Sequence, residues 1–306
     1  MINLDHLSAA YRDQALWSDG ERLNWIRADR WMRLPPADRA LSRLEDLLSY
    51  PTRARMPCLL LYGQTGMGKT EIIRKFARDN PPSFNQGTGV TTTPVVVVQM
   101  PAEPIEEDFY NELLRALGVP GPVRSGARAA RETARQLLGD MQTRVLVLDE
   151  INAMLAGTYR QQRLFLNTIR FLSNDLQIPI VCAGTEEARV ALLTDPQLAE
   201  RFDALQLEAW RDDVALQNLL SSFAAILPLR RASTLDTTAV RRRVIAMSAG
   251  VTGRIFRLIE TVAIAAIISG RESLDESSFD DNDLVLPLAS MKPAAKSRRT
   301  VASAAA

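Results

Sequence analysis

Apolar residues follow two rhythms along the 306-residue chain. Four short unbroken runs, Cys58 to Tyr62, Val95 to Val98, Val145 to Leu148 and Ile178 to Ala183, are of strand length. Their lack of alternation predicts strands covered on both faces. Between them, apolar positions recur every three or four residues. This predicts helices over 71–78, 106–117, a stretch ending at Leu138, and 159–174. Strands alternating with helices predict a parallel α/β sheet. Upstream, Ser18 and Glu21 have capping-box spacing ahead of Leu23, Trp25 and Ile26. A second helix over 36–49 would place Leu41, Leu44, Leu47 and Leu48 on one face. The Pro, Gly, Asn and Thr of 79–94 predict a loop, and 118–126 a turn. After Leu207 only helices are expected, over 212–226, 237–248 and 253–269. The expected division is a helical extension (1–50), an α/β domain (51–207), a small helical lid domain (208–285) and a disordered basic tail (286–306). No internal repeat is evident.

Composition narrows the chemistry. Apolar content of 46% and charged content of 24% suffice for a core without disulfides or metal. The two cysteines, in MPCLLLY and IPIVCAG, lack zinc-ligand spacing and are expected in the core, consistent with a reducing, cytoplasmic setting. His6, the sole histidine, has no ligand companion and is given no role, so histidine acid–base chemistry is not expected. No apolar run of about 18 residues predicts a membrane span, and the N-terminus lacks a signal pattern.

Two motifs carry the chemistry. Gly63-Gln64-Thr65-Gly66-Met67-Gly68-Lys69-Thr70 matches the full Walker A pattern, between a predicted strand and a predicted helix. Its glycines would let backbone N–H groups turn around phosphate oxygens. Lys69 would reach the β- and γ-phosphates of ATP, and the Thr70 hydroxyl would hold Mg²⁺. Val145 to Leu148 runs into Asp149-Glu150, which puts two carboxylates at the ligand-binding edge of such a sheet. Asp149 is the expected Mg²⁺ partner, and Glu150 the base that orients and deprotonates the attacking water. Thr185, just past the fourth run, is a sensor candidate. Arg201, in Leu198-Ala199-Glu200-Arg201-Phe202, is a candidate finger for a neighbouring subunit's nucleotide. Gly250-Val251-Thr252-Gly253-Arg254 opens the last long helix, and Arg254 or Arg257 could fold back over the nucleotide.

Net charge is only +1, so any nucleic-acid affinity must come from local patches. Arg124, Arg128, Arg131 and Arg135 share one helical face by their spacing. Arg160, Arg163, Asn167, Arg170 and Asn174 share another, opposite Phe165, Leu166, Ile169 and Leu172. These stripes are candidates for DNA phosphates. The alternative is that they are solvated faces or meet acids on a neighbouring subunit.

The order of these motifs looks like that of the AAA+ ATPases, with a P-loop, a Walker B Glu, a polar sensor, an arginine finger and a helical lid. The stretches ERLNWIRADRW, RMPCLLLYGQTGMGKT, YRQQRLFLNTIRFLSNDLQIPIVCAGTEEA and SFAAILPLRR further resemble the TniB transposition ATPases, relatives of TnsC and the phage Mu B protein. The similarity spans roughly residues 18 to 275. It implies ATP and Mg²⁺ as cofactors and homo-oligomers, ring or helical filament, on DNA with little sequence preference. It also implies recruitment of a DDE transposase, often alongside a TniQ-type target-selection protein. One departure stands out: the family pattern often has a histidine two positions after the Walker B Glu, where this chain has Asn152. Competing readings are another AAA+ DNA-associated ATPase, such as a helicase loader or replication initiator, or a nucleotide-dependent scaffold. No winged-helix module is visible after the lid, which weighs against an initiator. The Lys69 and Glu150 pair weighs against a scaffold.

Overall fold

The computed structural model describes residues 3–280, except residue 88 and residues 122–125. It begins with a short helix α1 (Arg12–Ala15) and α2 (Asp19–Arg27). The α2 capping box forms as its spacing predicts: the Ser18 backbone N–H donates to Glu21 Oε2 at 2.9 Å, and the Glu21 N–H donates back to Ser18 Oγ. Next comes α3 (Pro35–Leu48), which buries Ala37, Ala40, Leu44 and Leu47. Pro35 and Pro36 suit its first turn, where a missing N–H costs no hydrogen bond.

The α/β core follows in the predicted alternation: β1 (Cys58–Tyr62), α4 (Lys69–Asp79), a hairpin of β2 (Ser83–Asn85) and β3 (Val90–Thr92), then β4 (Val95–Gln99). It continues with α5 (Glu106–Ala116), α6 (Ala127–Asp140), β5 (Val145–Asp149), α7 (Tyr159–Asp175), β6 (Ile180–Gly184), α8 (Glu186–Leu193), the short α9 (Pro196–Ala199) and β7 (Phe202–Gln206). Five strands form one parallel sheet in the order β4-β5-β6-β1-β7. β5 and β6 are buried at every position, as unbroken apolar runs require. Against the sheet, α5 and α7 meet through Phe109 and Phe165, edge to face with centroids 5.4 Å apart. Cys58 and Cys182 are buried free thiols, and burial pushes the Cys58 thiol up to about 11.

Three regions differ from the sequence reading, the first being α8 and α9, helices in a segment for which none was predicted. The hairpin occupies part of the expected loop at 79–94, with Ser83 paired to Thr92 and Asn85 to Val90. β7 is a further strand whose FDALQ sequence lacks an apolar run. It pairs only with β1, so its outer side is a sheet edge where Asp203 and Gln206 stay exposed.

By contacts the described residues fall into two units, one of residues 29–209 and the other of residues 3–28 with 210–280. Residues 3–28 thus group with the C-terminal helices α10 (Val214–Ile226), α11 (Thr238–Ser248) and α12 (Thr252–Ile268), whereas α3 groups with the sheet. The basic tail at 286–306 lies outside the described residues. Arg22 is the link within the helical unit. Its side chain is fully buried and donates to both Glu272 carboxylate oxygens at 2.7 Å, to Asp19 Oδ1 at 2.7 Å and to Pro228 O at 3.0 Å. Burial alone would raise the Glu272 carboxyl, but the hydrogen bonds from Arg22 and the Arg230 N–H outweigh it and hold the group below its ordinary value.

Arg22→Met leaves the buried Glu272 carboxylate with only the Arg230 N–H at 3.1 Å and the Arg230 guanidinium at 3.5 Å, and should lower stability by roughly 3 kcal/mol, measured by urea unfolding. Because the folded Glu272 value is depressed, its contribution is complete at neutral pH and is lost as pH falls through that value. The difference between wild type and Arg22→Met should therefore shrink on acidification.

Candidate functional site

The carboxyl ends of β1, β5 and β6 converge at one edge of the sheet. β1 hands the chain to Gly63, whose N–H donates to Gly184 O at the end of β6 (3.2 Å). The loop then turns into α4 through Gly68, the residue before the first helical turn, at φ +92°, a conformation that favours glycine. Lys69 and Thr70 are therefore the first two residues of α4, with the helix N-terminus behind the loop.

Lys69 is only 7% exposed. Its Nζ donates to Gly63 O at 2.9 Å and Gln64 O at 3.0 Å, so the ammonium sits within the loop's curve. Burial depresses its ammonium, and the charges of Glu150 and Asp149 oppose that shift. The Thr70 hydroxyl donates to Asp149 Oδ2 at 2.8 Å, which joins the two Walker motifs directly. A hydroxyl and a carboxylate side by side are hard oxygen donors, the set that suits Mg²⁺. Asp149 also accepts the Glu150 N–H on Oδ1 at 2.9 Å. Glu150 itself is left-handed, at φ +56°. That conformation costs a residue with a Cβ roughly 1–2 kcal/mol and marks a backbone bent at the site.

The other expected site residues fall in different places. Thr185 follows β6, between the strand ends carrying the two Walker motifs, and precedes α8. A hydrogen bond to its side chain holds the Glu187 carboxyl below its ordinary value. Arg201 lies at the opposite edge, just before β7, where its carbonyl accepts the Cys58 N–H at 3.0 Å. Its guanidinium donates to Ser173 Oγ at 2.9 Å and to Asn174 Oδ1, at the end of α7. It does not join the Walker residues within one subunit. Arg254 lies in the first turn of α12 in the helical unit. There Gly250, at φ +70°, lies so close to Trp210 that a Cβ would come within 2.3 Å of its carbonyl oxygen, and Trp210 Nε1 donates to Thr252 Oγ1 at 3.0 Å. Part of the GVTGR signature is thus explained by packing.

The arginine stripes separate into paired and unpaired groups. Arg135 pairs with Glu132 (3.1 Å) and Asp175, and Arg170 with Asp195 (3.4 Å). Arg131 lies 3.8 Å from Glu106 and 5.2 Å over the Phe171 ring. Arg128, Arg160 and Arg163 are exposed and have no acidic partner among the described residues; Arg163 stacks 5.8 Å over Tyr159. Arg124 lies outside the described residues. Phe165, Leu166, Ile169 and Leu172 are buried opposite the α7 stripe, as its spacing predicts. Sequence reasoning assigned no role to Asn152, whose Nδ2 donates to Glu150 Oε2 at 3.1 Å.

No helix among the described residues is long and apolar enough to cross a membrane. Solved structures that share the fold include the following three. Cdc6p from Pyrobaculum aerophilum superposes with TM-score 0.57 at 17% identity, covering 82% of this chain and 67% of that one. The Aeropyrum pernix ORC2 protein, solved as ADPNP-ADP complexes, gives 0.53 at 18%, covering 82% and 69%. Drosophila ORC bound to DNA gives 0.53 at 14%, covering 86% and 64%. Identities this low carry the fold and not the activity. No curated protein matches the sequence. Residues 22–212 match the family described as the bacterial TniB protein. With a P-loop at the edge of a five-stranded parallel sheet and a family match over well over half its length, this chain is an AAA+ protein of the TniB family.

Proposed function

We propose that the chain is an ATPase that oligomerises on target DNA and recruits or stimulates a DDE transposase. The observation that carries the ATPase reading is the 2.8 Å hydrogen bond from Thr70 to Asp149, which joins the phosphate loop to the acidic strand end. The transposition reading rests on the TniB match.

In this mechanism the N–H groups of Gly63 to Gly68 and the α4 N-terminus cradle the phosphates of ATP. Lys69 exchanges its two loop carbonyls for β- and γ-phosphate oxygens. Thr70 and Asp149 would hold Mg²⁺, which supplies charge neutralisation between those phosphates. Glu150 takes the proton of the attacking water, and Thr185 contacts the γ-phosphate or that water. Arg201 serves the nucleotide of the neighbouring subunit. Its place at the far edge supports this, because the five residues of β1, about 17 Å, separate it from its own P-loop. Its present partners are neutral, so giving them up for a phosphate leaves no carboxylate unpaired. Arg254 and Arg257 are the second-sensor candidates by resemblance to other AAA+ proteins alone.

For DNA, the unpaired arginines are favoured over the paired ones. Arg128, Arg160 and Arg163 can take phosphates without breaking an ion pair, and Arg131 must share its charge with Glu106. Phosphate contacts suit a protein that marks targets with little sequence readout. TniQ-type and transposase partners follow from the family alone.

Glu150→Gln should bind ATP yet hydrolyse it roughly a hundredfold or more slowly, since the amide cannot take a proton. Lys69→Ala should lose ATP binding. Normal turnover by Glu150→Gln in a phosphate-release assay overturns the base assignment.

Arg201→Ala should keep nucleotide affinity and lose turnover. Mixing it with Lys69→Ala should recover part of the activity through composite sites. Absence of recovery in assembled mixtures excludes action in trans.

Arg160→Ala with Arg163→Ala should weaken ATP-dependent DNA binding on every sequence tested. Each lost phosphate contact should reduce the slope of log affinity against log salt by roughly 0.9. An unchanged slope, measured by fluorescence anisotropy across a salt series, removes this stripe from the DNA surface.

A further inference from the structure

The feature that the proposed mechanism leaves unused lies three residues beyond Asp149, in the 3-10 turn Ile151–Ala156. The Asn152 side chain there donates through Nδ2 to Glu150 Oε2 at 3.1 Å. Its other polar atom, Oδ1, is buried and has no hydrogen-bond partner. Turning the amide over would not help, because two acceptors would then face each other across the Glu150 contact. The orientation is therefore set by Glu150, and the orphaned oxygen is its cost. Buried polar atoms are rarely left unpaired without a compensating role.

The surroundings hold the turn in place. Gly184 ends β6 directly beneath it. A Cβ on Gly184 would lie 2.6 Å from Ile151 Cγ2, 3.0 Å from Ala188 Cβ and 3.4 Å from Asn152 Oδ1. The absent side chain makes the space that the turn occupies. Ile151 is fully buried, so the turn is anchored to the core on one side and carries Asn152 on the other. The charged groups acting on this edge are Lys69 and Asp149. Lys69 is bound to loop carbonyls and Asp149 to Thr70 and the Glu150 N–H. Among the described residues, Asn152 is the one side chain with a hydrogen bond to the Glu150 carboxylate.

We propose that Asn152 is a positioning residue for ATP hydrolysis, fixing the Glu150 carboxylate through the Nδ2 contact so that its free oxygen meets the attacking water. The inference rests on the reading of Glu150 as the base. In that reaction the water gives its proton to Glu150, its oxygen bonds to the γ-phosphorus, and the bond from that phosphorus to ADP breaks. Asn152 exchanges no proton and touches no substrate atom. It acts only on the angle from which the carboxylate approaches.

The test uses the full chain with Mg²⁺, ATP and duplex DNA. It compares wild type with Asn152→Ala, Asn152→Asp, Asn152→His and Glu150→Gln. Asn152→Asp keeps the shape and replaces the donor with an acceptor. Asn152→His keeps an N–H at the δ position. The Ala and Asp variants should lose kcat by roughly tenfold to a hundredfold, the size expected for a misplaced catalytic group. KM for ATP and the affinity for a non-hydrolysable ATP analogue should stay within about twofold, since the loss falls on the transition state. Asn152→His should recover most of the turnover. In the Glu150→Gln background, Asn152→Asp should add no further loss, because the two residues act as one unit.

Unchanged kcat in both Ala and Asp variants overturns the proposal. Faster turnover overturns it too, since Asn152 would then restrain Glu150 instead of aiming it. A parallel fall in analogue affinity would assign Asn152 to the shape of the pocket and also end the proposal. If Asn152→Asp does not fold by circular dichroism, the Ala variant decides the matter. Normal hydrolysis by Glu150→Gln is a separate failure, that of the base assignment itself.

Discussion

The position of β1 constrains the rest of the α/β unit. It pairs in parallel with β6 on one side and β7 on the other, and its first four residues are buried. A strand held on both edges and covered on both faces has no freedom to slip. At its end Tyr62 O accepts the Leu207 N–H (2.8 Å) and Gly63 N–H donates to Gly184 O (3.2 Å). These bonds hold the first residue of the phosphate loop in register with the end of β6. Because β6 also pairs with β5, the same register delivers Asp149 to the edge where Thr70 can reach it. The site is thus a consequence of strand order.

The same edge stores electrostatic and backbone tension. A buried ammonium on Lys69, a left-handed Glu150 and an orphaned Asn152 oxygen are each unfavourable taken alone. They occur together where the chain needs preformed donors and acceptors for a polyanion. Local rules are broken at this site and kept across the core, where β5, β6, α5 and α7 follow their sequence patterns closely.

Charge is arranged by pairing more than by number. With a net charge of +1, the chain has no excess of cations to spread over its surface. Much of its arginine is consumed within the fold. Arg22 ties the first helices to Glu272 in the helical unit, and Arg135, Arg170 and Arg241 each meet an aspartate. What remains available on α6 and α7 is a short set near their N-terminal ends, Arg128, Arg160 and Arg163. An arginine stripe read from spacing overstates the usable charge, because spacing does not show which neighbours carry carboxylates.

The sequence by itself determined the phosphate loop, the acidic strand end, most of the core strands and the helices between them. These rest on local chemistry: glycines where backbone must approach phosphate, unbroken apolar runs where a strand is buried twice, and helical periodicity where one face is buried. The capping box at Ser18 and Glu21 was legible for the same reason, since its partners are three residues apart. Tertiary structure decided what depends on distant partners. FDALQ becomes β7 only because β1 offers it an edge, and the polar segment at 83–92 becomes a hairpin by pairing with itself. Residues 3–28 join the C-terminal helices through a buried ion pair spanning 250 positions. The Asn152 contact is different, for it spans only two residues, and the sequence marked the position as a departure from the family pattern without showing the contact. It depends on the Glu150 backbone turning left-handed and on the space above Gly184, and neither is set by residue spacing.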